Sequence, residues 1–127
     1  MTAALLRLYS REGCDLDRAL EMAQEAKALL PDNPNAADTL GWVLYKKNLP
    51  SAAIGYLKEA ESGFDAGASQ RVVVRHHLAL AYEANGEPDQ ARKTIEQAIR
   101  DLEVIYRSEG AEKRPEPAWT AEIRSMH

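Results

Sequence analysis

The sequence is poor in the residues that most often carry chemistry: one cysteine and three histidines in 127 residues. With Cys14 alone, no intrachain disulfide and no cysteine-based zinc site can be built. Cys14 falls in a turn without basic residues on both sides to lower its pKa, so it reads as a plain exposed thiol. His76 and His77 are sequence neighbours and His127 is the last residue. Adjacent helical side chains diverge by about 100°, so this pair does not chelate one ion and reads as ordinary histidines. The chain also has no glycine-rich phosphate loop, no nucleophile elbow and no Cys-His metal spacing. Its carboxylates are scattered over helix surfaces, where solvated charge is the default. Neither catalysis nor a metal or other cofactor is expected.

Basic charge is in short supply too. Sixteen Lys and Arg stand against twenty Asp and Glu, a formal net charge of −4. Nucleic acid and anionic membranes both select basic surfaces, so neither is expected as a partner. The opening run Met1-Thr2-Ala3-Ala4-Leu5-Leu6-Arg7 has no long apolar stretch, so neither a signal peptide nor a membrane span is expected. Met1 falls inside what reads as the first helix of a repeat, an arrangement compatible with a piece of a longer protein. Location is left undetermined, with the cytoplasm as the default.

What the sequence does have is helical periodicity punctuated by Gly, Asn and Pro. Residues 2–12 place Leu5, Leu8 and Tyr9 on one face, and Gly13 ends that helix. Asp15 can cap a second helix, Leu16 to Leu30, with an inner stripe of Leu16, Ala19, Leu20, Ala23, Ala26 and Leu30. Pro31-Asp32-Asn33-Pro34 stops it. The next helix buries Ala37, Leu40, Gly41 and Leu44 and ends at Asn48, a residue tolerant of positive φ. Pro50 opens a helix carrying Ala53, Ile54, Leu57 and Ala60 inward to about Gly63. After the connection Phe64-Asp65-Ala66-Gly67-Ala68, Ser69 is the expected N-cap of a helix with the stripe Val74, Leu78, Ala81 and Tyr82. Gly86-Glu87-Pro88 repeats the turn logic of Asn48-Leu49-Pro50. A final long helix aligns Ala91, Ile95, Ala98, Ile99, Leu102 and Tyr106, with Gly110 as its stop. Residues 109–127 open with a charged, proline-containing linker, after which either a frayed tail or a short capping helix from Pro117, with Trp119, Ile123 and Met126 on one face, would follow.

The same skeleton recurs three times. Second helices align as Ala19, Ala53 and Ala91; Ala23, Leu57 and Ile95; Ala26, Ala60 and Ala98. First helices align as Leu5, Leu40 and Leu78; Tyr9, Leu44 and Tyr82; Gly13, Asn48 and Gly86, with Cys14 as one extra residue in the first turn. The first spacing is about 34 residues and the second about four more. Small residues at Gly41, Ala79 and the aligned alanines let paired helices approach closely, while Leu, Tyr and Ile fill the gaps. On these residues the chain resembles tetratricopeptide-repeat proteins, whose period is 34. The resemblance covers about residues 2–106. Within it, Asp38-Thr39-Leu40-Gly41-Trp42-Val43-Leu44-Tyr45 after Leu30-Pro31-Asp32-Asn33-Pro34 is similar to bacterial arrays, including those of exopolysaccharide and protein-sorting gene clusters. Some positions depart from the family pattern. Ala37 and Arg75 stand where an early aromatic is usual, Leu6 where a small residue is usual, and the closing proline, present as Pro31, is absent after Ala60.

The resemblance implies an all-α α-solenoid of three helical hairpins in a right-handed superhelix. Its units would span about residues 2–34, 35–67 and 68–108, with a short C-terminal capping helix as an addition. It also implies that the first helix of each hairpin lines a concave side. The concave residues are then Arg7 and Arg11; Asp38, Trp42, Tyr45 and Lys46; and His76, Leu80 and Glu83. Two readings of Trp42 stay open: an aromatic anchor for a bound peptide or helix, or packing on neighbours such as His76 and Leu80. The lysine–asparagine–arginine clamp with which some family members grip a C-terminal carboxylate is not carried over. Its positions here hold Ala3, Arg7, Thr39, Val73 and His77, of which only Arg7 is of a suitable type. The expected function is a non-catalytic module that binds a protein or peptide on its concave face. The alternative is a structural unit that assembles with copies of itself or with upstream repeats, through apolar residues such as Leu5, Leu6 and Leu8.

Overall fold

The computed structural model describes residues 15–109. The expected first helix with Arg7 and Arg11, the turn at Gly13 and Cys14, and the tail with Trp119, Ile123 and Met126 lie outside the described residues. Within them the chain is all-α, with five helices and no strand. They are α1 (Leu16–Leu29), α2 (Pro34–Lys46), α3 (Pro50–Gly63), α4 (Ser69–Ala84) and α5 (Pro88–Glu109). The chain divides into two compact units between Gly63 and Phe64. In the first, α2 packs against both α1 and α3; in the second, α4 packs against α5.

Local chemistry sets the helix ends. The Asp15 carboxylate accepts from the Arg18 N–H at 3.1 Å and caps α1. Asn33 does the same for α2, accepting from the Asn35 N–H at 2.8 Å, with Pro34 at the first helical position. The two hairpin turns share one geometry. Asn48 (φ 64°) and Gly86 (φ 77°) both take the left-handed conformation. The N–H of Leu49 then reaches back to the Leu44 carbonyl, and that of Glu87 to the Tyr82 carbonyl, each at 2.9 Å. These bonds satisfy carbonyls orphaned at the helix end. A proline follows each turn and opens the next helix.

Two ends differ from the sequence expectation. Ala68, not Ser69, is the N-cap of α4, with no side-chain hydrogen bond; Ser69 is already helical. Leu30 is not part of an inner stripe. It is the C-cap of α1, and its N–H bonds the Ala26 carbonyl. As the helix unwinds there, its side chain swings outward, leaving Leu30 52% and Leu29 81% exposed.

The core follows the aligned positions. Ala53 and Ala91, Leu57 and Ile95, Ala60 and Ala98, Leu40 and Leu78, and Leu44 and Tyr82 are all buried. In the first unit the closest approach is at Gly41. A Cβ there would stand 2.6 Å from the Leu57 Cγ and 3.2 Å from the Ala53 carbonyl oxygen. At the other end of the same hairpin, a Cβ on Gly63 would stand 2.7 Å from the Pro34 Cβ. Helices in such contact sit at the short end of the interaxial range, and dispersion between backbones contributes directly.

Gly41→Ala sets a helix-propensity gain of about 1 kcal/mol against overpacking of about 1–3 kcal/mol. A net loss of stability is expected in urea unfolding. The loss should shrink in a Leu57→Val background, where the clashing Cδ2 methyl is gone.

Candidate functional site

The α2 helix has little surface left after packing. Ala36, Ala37, Thr39, Leu40, Gly41, Val43 and Leu44 are buried. Beyond Pro34 and Asn35 at its start, what remains is a strip at helical spacing: Asp38, Trp42 and Tyr45, half-buried, and Lys46, exposed. These are the α2 members of the expected site, and the structure brings them together. The Trp42 and Tyr45 rings stack, with centroids 5.2 Å apart and planes inclined by 19°. One turn on from Trp42, the Lys46 ammonium sits 4.8 Å from the centre of its ring. A cation over an indole face is held by the ring quadrupole, an interaction worth about 0.5–1 kcal/mol at an exposed site. The i, i+3 and i, i+4 spacings make both contacts of this ledge intrahelical.

The remaining candidates belong to α4, in the second unit. His76 is buried, with 8% exposure, so it offers a partner little of its ring. His77 and Leu80 are half-buried and Glu83 is exposed. The two imidazoles are 6.1 Å apart between centroids and tilted by 33°, the divergence expected of adjacent helical residues. No group of three or more His, Cys, Asp or Glu that could hold a metal ion occurs among the described residues. No described helix is long and apolar enough to cross a membrane.

One cluster escaped the sequence reading. Asp101 on α5 is 4% exposed and lies between Arg71 and Arg75, one turn apart on α4. Arg71 grips it with both ends of the guanidinium fork, Nε donating at 3.2 Å and Nη2 at 2.8 Å. Arg75 donates through Nη1 at 2.5 Å and reaches the Gln97 carbonyl at 3.5 Å. Forked, charge-assisted bonds of this kind are geometrically specific. The cluster ties the start of α4 to the far half of α5, and its groups are committed to one another. The Arg71–Arg75 spacing was visible in sequence. Their pairing with a carboxylate many residues away was not, because it depends on hairpin register.

The strip combines a stacked aromatic pair, an exposed ammonium and a half-buried carboxylate, groups that can make apolar and charged contacts. No family model, no curated protein and no solved structure matches this chain.

Removing the carboxylate by Asp101→Ala would leave two part-buried guanidinium groups without their shared counter-charge. A loss of about 3 kcal/mol is expected in chemical denaturation. Arg71→Ala, which leaves Arg75 on Asp101, should cost less.

Proposed function

We propose that the chain is a tetratricopeptide-type helical array that works without catalysis, as a protein-interaction module. In this reading three hairpins (about residues 2–34, 35–67 and 68–108) form a right-handed solenoid, and residues 109–127 supply a cap or tail. What supports the array is the shared turn at Asn48 and Gly86, together with burial of the same aligned positions in α2–α3 and α4–α5.

The observation that carries the binding function is the Trp42–Tyr45 stack on the accessible strip of α2. Aromatic residues dominate the energetics of protein interfaces, and a pair already stacked loses little side-chain freedom when a partner docks. A peptide or short helix is the expected occupant. Arg7, Arg11, His76, Leu80 and Glu83 complete the proposed concave series, with His76 in a supporting rather than a contacting place.

A second reading, self-assembly, has its own observation. Leu29 and Leu30 are adjacent, apolar and exposed at the end of α1. Sedimentation that stays monomeric up to high concentration would remove it.

For the main reading, peptides selected by display against the wild-type protein give the test. Trp42→Ala is expected to keep the helical circular dichroism while weakening selected peptides by about 30-fold, the equivalent of a 2 kcal/mol hot spot. Binding unaffected by Trp42→Ala, or unfolding of that variant, would mean that the ring serves packing alone.

A further inference from the structure

Which peptide the ledge selects can be argued from the placement of Lys46, resting on the reading of that ledge as a docking surface. We infer that the strip on α2 takes a segment with an apolar side chain followed, one or two residues along, by a carboxylate. It selects against basic residues at those places.

Three observations carry this. First, the Lys46 ammonium occupies the cation position over the Trp42 ring, 4.8 Å from its centre. A Lys or Arg from a partner would therefore find that seat taken by a like charge. Second, Lys46 has no carboxylate at ion-pair distance among the described residues, whereas Lys27 pairs with Glu59 and Lys47 with Asp17. Its side chain is exposed, so its charge is open to a partner. Third, the negative group on the other side of Trp42 is not equivalent. Asp38 is half-buried and already has an interaction of its own. Cation and anion on this strip thus differ in availability, and the available one is positive.

The distances set the spacing. The ammonium lies 4.8 Å from the Trp42 ring centre, an apolar anchor rests against the rings at a carbon–carbon contact of about 4 Å, and a carboxylate bonds the ammonium at about 3 Å. Neighbouring Cα atoms are about 3.8 Å apart, so a carboxylate one or two residues from the anchor reaches it. The chain as a whole is negative, at −4, so a preference for acid cannot come from its general field. It must come from this local contact, and a distant charge change should not reproduce it.

The experiment uses display-selected peptides, each resynthesised with Glu, Gln or Lys at the two positions flanking its apolar anchor. They are titrated by fluorescence anisotropy against the wild-type protein, Lys46→Glu and the exposed α3 control Lys58→Glu. The Glu forms should bind the wild type about 5–10-fold tighter than the Lys forms at low salt, with the gap closing as salt rises. Lys46→Glu should reverse the order, and Lys58→Glu should leave it in place. Binding that Trp42→Ala weakens but that ignores flanking charge would overturn the inference and leave the docking surface standing. So would an acid preference that survives Lys46→Glu. If no peptide is selected, or Trp42→Ala has no effect, the docking surface itself fails and the inference with it.

Discussion

The arrangement depends on how closely α2 and α3 approach at Gly41. The space a Cβ would need is already filled by Leu57 and the Ala53 carbonyl. This contact sets the rotation of α2 about its own axis. With Gly41, Leu40 and Leu44 turned inward, a helix of period 3.6 has to turn Asp38, Trp42 and Tyr45 the other way. The packing face and the exposed face are consequences of the same constraint.

The second hairpin meets the same structural demand with different chemistry. Where the first has Ala37 and Gly63, the aligned positions of the second hold Arg75 and Asp101. In the first hairpin Gly63 lets the end of α3 sit against Pro34. In the second, the two helices are joined there by Arg71, Arg75 and a buried carboxylate. Close contact between small residues gains dispersion energy without desolvating charge. The ion cluster pays a desolvation cost and gains specificity of register, since a slip of either helix would strand charge in a poorly hydrated place. Arg75, where the first hairpin has Ala37, is thus matched by a change on the facing helix, Asp101 for Gly63.

Most of the helical framework was legible in the sequence, because it is written in local signals. Asp15 caps α1, Pro34 and Pro50 open helices, and Asn48 and Gly86 supply the left-handed turns, each acting within a few residues. Alanine, leucine and isoleucine at aligned positions gave the core for the same reason. Leu30 and Ser69 were misplaced because helix ends are decided by which backbone groups find partners, something side-chain periodicity does not encode. At the candidate site, the grouping of Trp42, Tyr45 and Lys46 was readable from spacing. The stacking of the two rings and the seating of Lys46 on the indole were not, since rotamer choice settles both. The burial of His76 depends on tertiary packing, and helical spacing alone left it open between a groove-facing and a partly buried place.

The central claim is that one side of α2 builds the fold while the other meets a partner. It is tested most directly by NMR on the isotopically labelled protein titrated with a selected peptide. The account expects the largest shift changes at the Trp42 indole N–H and at Asp38, Tyr45 and Lys46, with Leu40, Gly41 and Leu44 moving little. A bound peptide that leaves the Trp42 indole unmoved, and instead perturbs Leu29 and Leu30 or the buried face of α2, would contradict it.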